Sequence, residues 1–221
     1  MSESVKPATI RRRMLLGTYD RMAQGGIVLD IGAGPDTPTY DWTARVRQMG
    51  GPMLFRKRYE VEDGDAQTLT DIPACSYGSV YASHILEHLA DPREALHNWL
   101  RVTKVGGRLF IAVPHRRLYE YGKDQPPSYW AGDQHLWFFE PEKHGHGKVL
   151  GFADLLVEPG WKLHPENVGA LGMAVRVEYF GTGDWGYQGL GTYDFHVNRG
   201  MHPTVHPQGE YQIEAELLRI R

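Results

Sequence analysis

The sequence predicts an α/β fold built on a mostly parallel sheet, and three observations predict it. Ile27 to Ile31 form a short apolar run that ends in the glycine loop Gly32-Ala33-Gly34, the pattern of a buried strand feeding a tight turn. Asp91-Pro92-Arg93-Glu94 opens a strongly marked helix, which is followed by the apolar run Arg108 to Val113. Between and around them, strand-sized and helix-sized segments alternate, which argues for parallel pairing through helical crossovers.

Taken in order, Ile10, Met14, Leu15, Tyr19 and Met22 recur at helical spacing, so Pro7 to Gln24 reads as one N-terminal amphipathic helix. Arg11, Arg12 and Arg13 read as a solvated face of it. Gly25-Gly26 break the pattern before the first strand. At the end of that strand the absence of Cβ atoms lets a ligand approach the backbone, and the carboxyl end of such a strand is where open α/β sheets bind nucleotides. Asp30 stands at the mouth, placed to hold loop amides or a cationic ligand group. A dinucleotide fingerprint wants a third glycine, but that position is Thr37, and Pro35 and Pro38 remove amide donors that would cradle phosphate. The loop suits a nucleoside without phosphates better than a nicotinamide cofactor, which keeps an oxidoreductase as the weaker alternative.

Trp42 to Met49 reads as a short helix, Pro52 to Val61 contains a strand, and Glu62 to Gln67 is an acidic turn. Ser79 to Ser83 is a further buried strand, and Ile85 to Leu89 starts a helix. The helix opened by Asp91 carries Ala95, Leu96, Trp99, Leu100 and Val102 as its apolar stripe and is expected to stop at Gly106-Gly107. His115 to Lys148 lacks periodicity, which marks a functional loop or lid. Val149 to Val157 reads as a helix, Val175 to Phe180 as a strand, Gly181 to Pro207 as a long turn or second lid, and Tyr211 to Ile220 as the last strand. No internal repeat or linker divides the chain, so residues 1–221 are expected to form one domain.

The 221 residues carry a net charge of −3, which offers no general attraction for nucleic acid or an anionic membrane. Cys75 is the only cysteine, so an internal disulfide is excluded. With no bilayer-length apolar run and no signal-peptide core, a cytoplasmic protein is expected. The sequence does not specify an oligomeric state.

Four segments in order resemble the class I S-adenosylmethionine-dependent methyltransferases: VLDIGAGPD from Val28, GDAQTL from Gly64, SHILEHLADPREAL from Ser83 and VGGRLFIAVPHR from Val105. The resemblance covers Val28 to about Tyr119. It implies a Rossmann-like, seven-stranded, mostly parallel sheet with helices on both faces and an antiparallel last strand. S-adenosyl-L-methionine is the implied cofactor. Asp30, Gly32, Ala33 and Gly34 would line its methionine end, and Asp65, Ala66 and Gln67 its adenine. Ser83 and His84 would lie near the sulfonium and amino-acid end. The family's acid at the end of the second strand, which binds the ribose hydroxyls, is displaced, absent or supplied by Glu60, because the region reads Phe55-Arg56-Lys57-Arg58-Tyr59-Glu60. The stretch between the glycine loop and Gly64 is also compressed. Val105 and Gly78 replace a common proline and a common aspartate.

The expected activity is methyl transfer to oxygen or nitrogen of a small polar acceptor, such as a sugar or natural product. In-line transfer from a sulfonium depends on positioning, and a hydroxyl acceptor gains from a base. His84 and His115 follow strands at their carboxyl ends, and His135 lies in the expected lid, so these are the catalytic candidates. Tyr119, Tyr129, Trp130 and Trp137 are candidates to shape the pocket or face the sulfonium. His135, His144 and His146 with Asp133 match no zinc signature, so no metal ligand is assigned. A non-catalytic cofactor- or partner-binding member of the fold is the main alternative.

Overall fold

The computed structural model describes residues 6–35, 37, 40–120, 122–128, 134–141, 147–157, 175–182 and 212–220. Strands β1 (Ile27–Ile31), β2 (Phe55–Tyr59), β3 (Tyr77–Ser83), β4 (Thr103–Pro114), β7 (Val175–Thr182) and β8 (Gln212–Arg219) form one sheet in the order β2-β1-β3-β4-β8-β7. The pairs β2/β1, β1/β3 and β3/β4 are parallel, and β8 runs antiparallel to both its neighbours. The antiparallel last strand is as expected. A short parallel pair, β5 (Phe138–Glu140) with β6 (Val149–Gly151), extends from the end of β4 through a bridge between His115 and Phe139.

Side-chain alternation along the strands gives the sheet two buried faces. Leu29, Ile31, Val80, Ala82, Leu109, Ile111 and Val113 pack with Leu96, Trp99 and Leu100 of helix α4 (Pro92–Val102) and with α6 (Phe152–Val157). Val28, Tyr81, Phe110 and Ala112 face the other way, onto Ile10 of α1 (Pro7–Leu15), Tyr19 and Met22 of α2 (Thr18–Gln24) and Trp42 and Val46 of α3 (Trp42–Gln48). Helices therefore cover both faces, the arrangement a central parallel sheet requires.

Several expectations are corrected. The sheet has six strands among the described residues, not seven. The compressed stretch after β1 holds only α3 and β2, and residues 60–76 then return to β3 through turns. The N-terminal helix is two, because Gly17 is left-handed at φ 70° between them. Of the Arg11–Arg13 cluster only Arg11 is on a solvated face. Arg13 is fully buried against Glu214 Oε1 at 2.8 Å and the Tyr81 hydroxyl at 2.7 Å, and Arg12 pairs with Glu214 at 2.6 Å. An all-polar triplet cannot announce that a carboxylate far along the chain will bury it. The segment from Ile85 makes only a 3₁₀ turn, Leu86–His88. Helix α4 stops at Val102, ahead of Gly106, because β-branched Thr103 already pairs with Tyr77 of β3. The aperiodic stretch from His115 contains α5 (Arg116–Tyr119) and β5, and the helix expected from Val149 is β6 followed by α6. Tyr129, Trp130, Asp133, His144 and His146, and all but the first two residues of the second expected lid, lie outside the described residues.

Candidate active site

The parallel strands β1, β2, β3 and β4 deliver Gly32, Glu60, His84 and His115 to one edge of the sheet, directly after their last residues. On the β1–β2 side, Gly32 has φ 67° and donates its N–H to the Tyr59 carbonyl at 2.9 Å, closing the loop onto β2. A Cβ at Gly32 would lie 3.1 Å from the Ile85 side chain. The Glu60 carboxylate receives the Gly34 amide and lies 3.5 Å from Arg58, whose guanidinium also donates to the Gly34 carbonyl. Burial pushes the Glu60 carboxyl above its ordinary pKa, against the pull of Arg58 and that amide. An acid therefore does stand at the end of β2, one residue past the strand.

Asp30 does not face the loop amides. It is buried on the α3 face, where Trp42 Nε1 donates to it at 2.9 Å and Arg56 pairs with it at 3.0 Å. Burial pushes its pKa up to about 6 even so. Its role in this geometry is to fix the base of the loop through α3 and β2.

Beyond β2, Asp65 is exposed and organises its own turn, accepting from the Gln67 amide at 2.9 Å and the Thr68 hydroxyl at 3.0 Å. Two oxygens with four acceptor sites leave room for a further donor. Gly64, at φ 152°, lets this turn pass the Tyr59 hydroxyl, which a Cβ would approach to 2.4 Å. The Ala66 carbonyl takes the Trp99 indole N–H at 2.7 Å. The Gln67 side chain is engaged by the start of α4. Its side-chain oxygen accepts from the Asp91 amide at 2.8 Å and its amide nitrogen donates to Glu94. The N-cap expected at Asp91 forms, accepting from Arg93 and Glu94 amides at 2.9 and 3.2 Å, but Gln67 fills the other half of the expected capping box.

The β3–β4 side is lined by histidines. His84 is left-handed at φ 57°, an uncommon conformation for a residue with a side chain. Its Nε2 lies 3.1 Å from Gln212 Oε1, and Gln212 Nε2 donates to Glu214 at 2.7 Å, which fixes the amide with its oxygen toward the imidazole. Burial holds His84 below its ordinary pKa, opposed by Glu87 and Gln212. His115 is buried and caps α5, its Nδ1 accepting from the Arg117 amide at 3.1 Å. His135 is 3% exposed, with Nδ1 2.5 Å from Glu120 Oε1, and Glu120 also accepts from Ser128 at 2.8 Å. The Tyr119 ring sits 6.0 Å from that of His84 and 5.6 Å from that of His135. The structure thus gathers His84 and His135 about Tyr119. Glu87, Glu120 and Gln212 belong to the same group of side chains and have no signal in the sequence, since each is contributed by a different element.

Residues 29–111 match the family model described as a methyltransferase domain. The chain carries this methyltransferase-domain match over 83 of its 221 residues, the same stretch in which it resembles the class I S-adenosylmethionine-dependent methyltransferases. Methyl transfer is its class of activity and S-adenosylmethionine its cofactor. No curated protein sequence matches it. Similar solved structures include the [4+2]-cyclase SpnF, 16% identical over 96% of this chain and 80% of that one, with a TM-score of 0.48. A putative S-adenosylmethionine-dependent methyltransferase from Listeria monocytogenes is 11% identical over 96% and 97%, with a TM-score of 0.49. A third, from Mesorhizobium loti, is 14% identical over 95% and 97%, with a TM-score of 0.45. Among the described residues no helix is long and apolar enough to cross a membrane.

Proposed function

We propose that this methyltransferase acts on oxygen or nitrogen of a small polar acceptor, such as a sugar or natural product, with a histidine receiving the proton. The observation that carries the reading is the division of the sheet's carboxyl edge into a backbone-lined half and a histidine-lined half. In the first, the Gly32-Ala33-Gly34 loop would meet the methionine end and Glu60 the ribose hydroxyls. Asp65 would accept from the adenine amino group beside the Ala66 amide. Asp30 and Gln67 hold these elements from behind rather than touching cofactor. Ser83 and His84, at the end of β3, stand between the two halves.

On the histidine side His84 is the leading proton acceptor. Its Nε2 is turned to Gln212 and burial keeps it neutral near pH 7, so Nδ1 carries a lone pair. Glu120 gives His135 a similar orientation, and His115 serves α5 as a cap. Most of the rate would come from holding the acceptor atom in line with the methyl–sulfur bond, with proton removal a smaller contribution of about 10²–10⁴-fold.

The test is calorimetric titration with S-adenosylmethionine and S-adenosylhomocysteine, followed by transfer of labelled methyl to a panel of hydroxylated and aminated small molecules. Saturable binding with label in a hydroxyl or amine, and retained binding but depressed turnover in His84→Asn, is the expected result. Cofactor binding with label only in a macromolecule or on carbon would refute the acceptor class.

A further inference from the structure

The 3₁₀ turn after β3 buries Glu87 completely, yet neither carboxylate oxygen accepts a hydrogen bond among the described residues. Among the described residues, the side-chain nitrogens facing its Oε1 are all imidazole: His84 Nδ1 at 3.7 Å, His88 Nε2 at 3.8 Å and His135 Nε2 at 3.9 Å. In each of these rings the other nitrogen faces an acceptor. His88 Nδ1 lies 3.1 Å from the Gln134 carbonyl, His135 Nδ1 lies against the Glu120 carboxylate, and His84 Nε2 faces the oxygen of the oriented Gln212 amide. A neutral histidine must place its one N–H on the side of the acceptor. The inward nitrogens are then lone pairs, and they converge on a carboxylate that is itself only an acceptor.

Such a set is electrostatically incomplete without a cation at its centre, because a buried, unpaired carboxylate is strongly disfavoured. Ligand atoms of Glu87, His88 and His135 all lie within 4.8 Å of one another. We propose that Glu87, His88 and His135 bind a divalent transition-metal ion of the zinc type. Two imidazoles and one carboxylate match the ligand chemistry of zinc and its neighbours, and a three-ligand set leaves a coordination position open. The Gln134 carbonyl beside His88 Nδ1 and the Glu120 carboxylate beside His135 Nδ1 form the second layer that sets a metal-binding imidazole's tautomer and aim. His84 lies beside the set, with Nδ1 turned to the same Glu87 oxygen. The expectation of no metal ligand weighed His135 with His144, His146 and Asp133, whereas this cluster joins His135 to Glu87 and His88.

The test uses the full chain, stripped with a chelator and titrated with Zn²⁺ by calorimetry and with Co²⁺ by visible absorption, without methyl donor. One equivalent is expected to bind, with the intense cobalt bands of a low-symmetry site. His88→Ala, at the exposed edge where folding tolerates it, should weaken binding by more than about 100-fold. Glu120→Gln, which loosens the support of His135 without removing a ligand, should cost about 10–100-fold. Failure of the wild-type chain to bind either ion overturns the proposal, as does binding by His88→Ala and Glu87→Gln equal to wild type, which would assign the ion to histidines elsewhere. S-adenosylmethionine titration of the same samples reports separately on the cofactor site, so failure of one leaves the other standing.

Discussion

The two halves of the sheet's carboxyl edge are built on different principles. The β1–β2 half is local: a glycine loop, an acid one residue past a strand, and an Asp turn whose bonds span two or three positions. The β3–β4 half is assembled at long range. His84 reaches Gln212 across 128 positions, Gln212 reaches Glu214, and Glu214 is neutralised by Arg12 and Arg13 at the other end of the chain. A site lined by backbone tolerates variation in all but its glycines, whereas a site of coupled side chains transmits a change at one end to the other.

The largest expected effect therefore lies on the histidine side, at its remote anchor. Glu214→Gln leaves Arg13 buried without its full counter-charge and should destabilise the fold by about 3–5 kcal/mol in urea unfolding. The arginines hold the Glu214 carboxyl well below the ordinary value of 4.5. Its stabilisation is thus complete above that value and is lost as pH falls below it, so the variant should show a weaker acid dependence than wild type. If the two halves are as separate as drawn, any S-adenosylmethionine that the folded variant binds should bind with little changed affinity.

On the glycine side the largest effect falls on binding rather than stability. Gly32→Val must adopt a positive φ and push into Ile85, and S-adenosylmethionine affinity should fall at least about 100-fold, roughly 2.7 kcal/mol. Circular dichroism should show the fold retained, and unchanged affinity would break the loop assignment. Asp30 supplies a comparable effect with a pH signature. Its pKa rises from 3.8 unfolded to about 6 folded. Stability should therefore decline as pH rises through that window, by on the order of 3 kcal/mol. Asp30→Asn should flatten this stretch of the stability curve, measured by denaturant midpoints across pH. The smallest effect is expected at Asp65→Ala, about tenfold in cofactor affinity for one lost charged hydrogen bond. Calorimetry reads it, and a larger loss accompanied by a lower melting temperature would mean that the turn itself had collapsed.

The sequence by itself determined the parallel core, the glycine loop after β1, the N-cap at Asp91 and the last strand; its antiparallel direction came with the family resemblance. Each is written in neighbouring residues, through hydrophobic period, missing Cβ atoms or a cap spaced two or three positions from its donors. It also marked Glu60 as one choice for the acid beside the loop, and compression before Gly64 is the trace of the strand that the described sheet lacks. Tertiary structure decided the rest. The direction of Asp30 depends on Trp42 and Arg56 arriving on one face, and the burial of Arg13 depends on β8 bringing Glu214. The convergence of Glu87, His88 and His135 depends on a segment nearly fifty residues downstream folding back over the turn after β3. Backbone preference acts over a few residues and is legible in them. The cost of burying a charge is set by whichever groups the completed fold brings beside it.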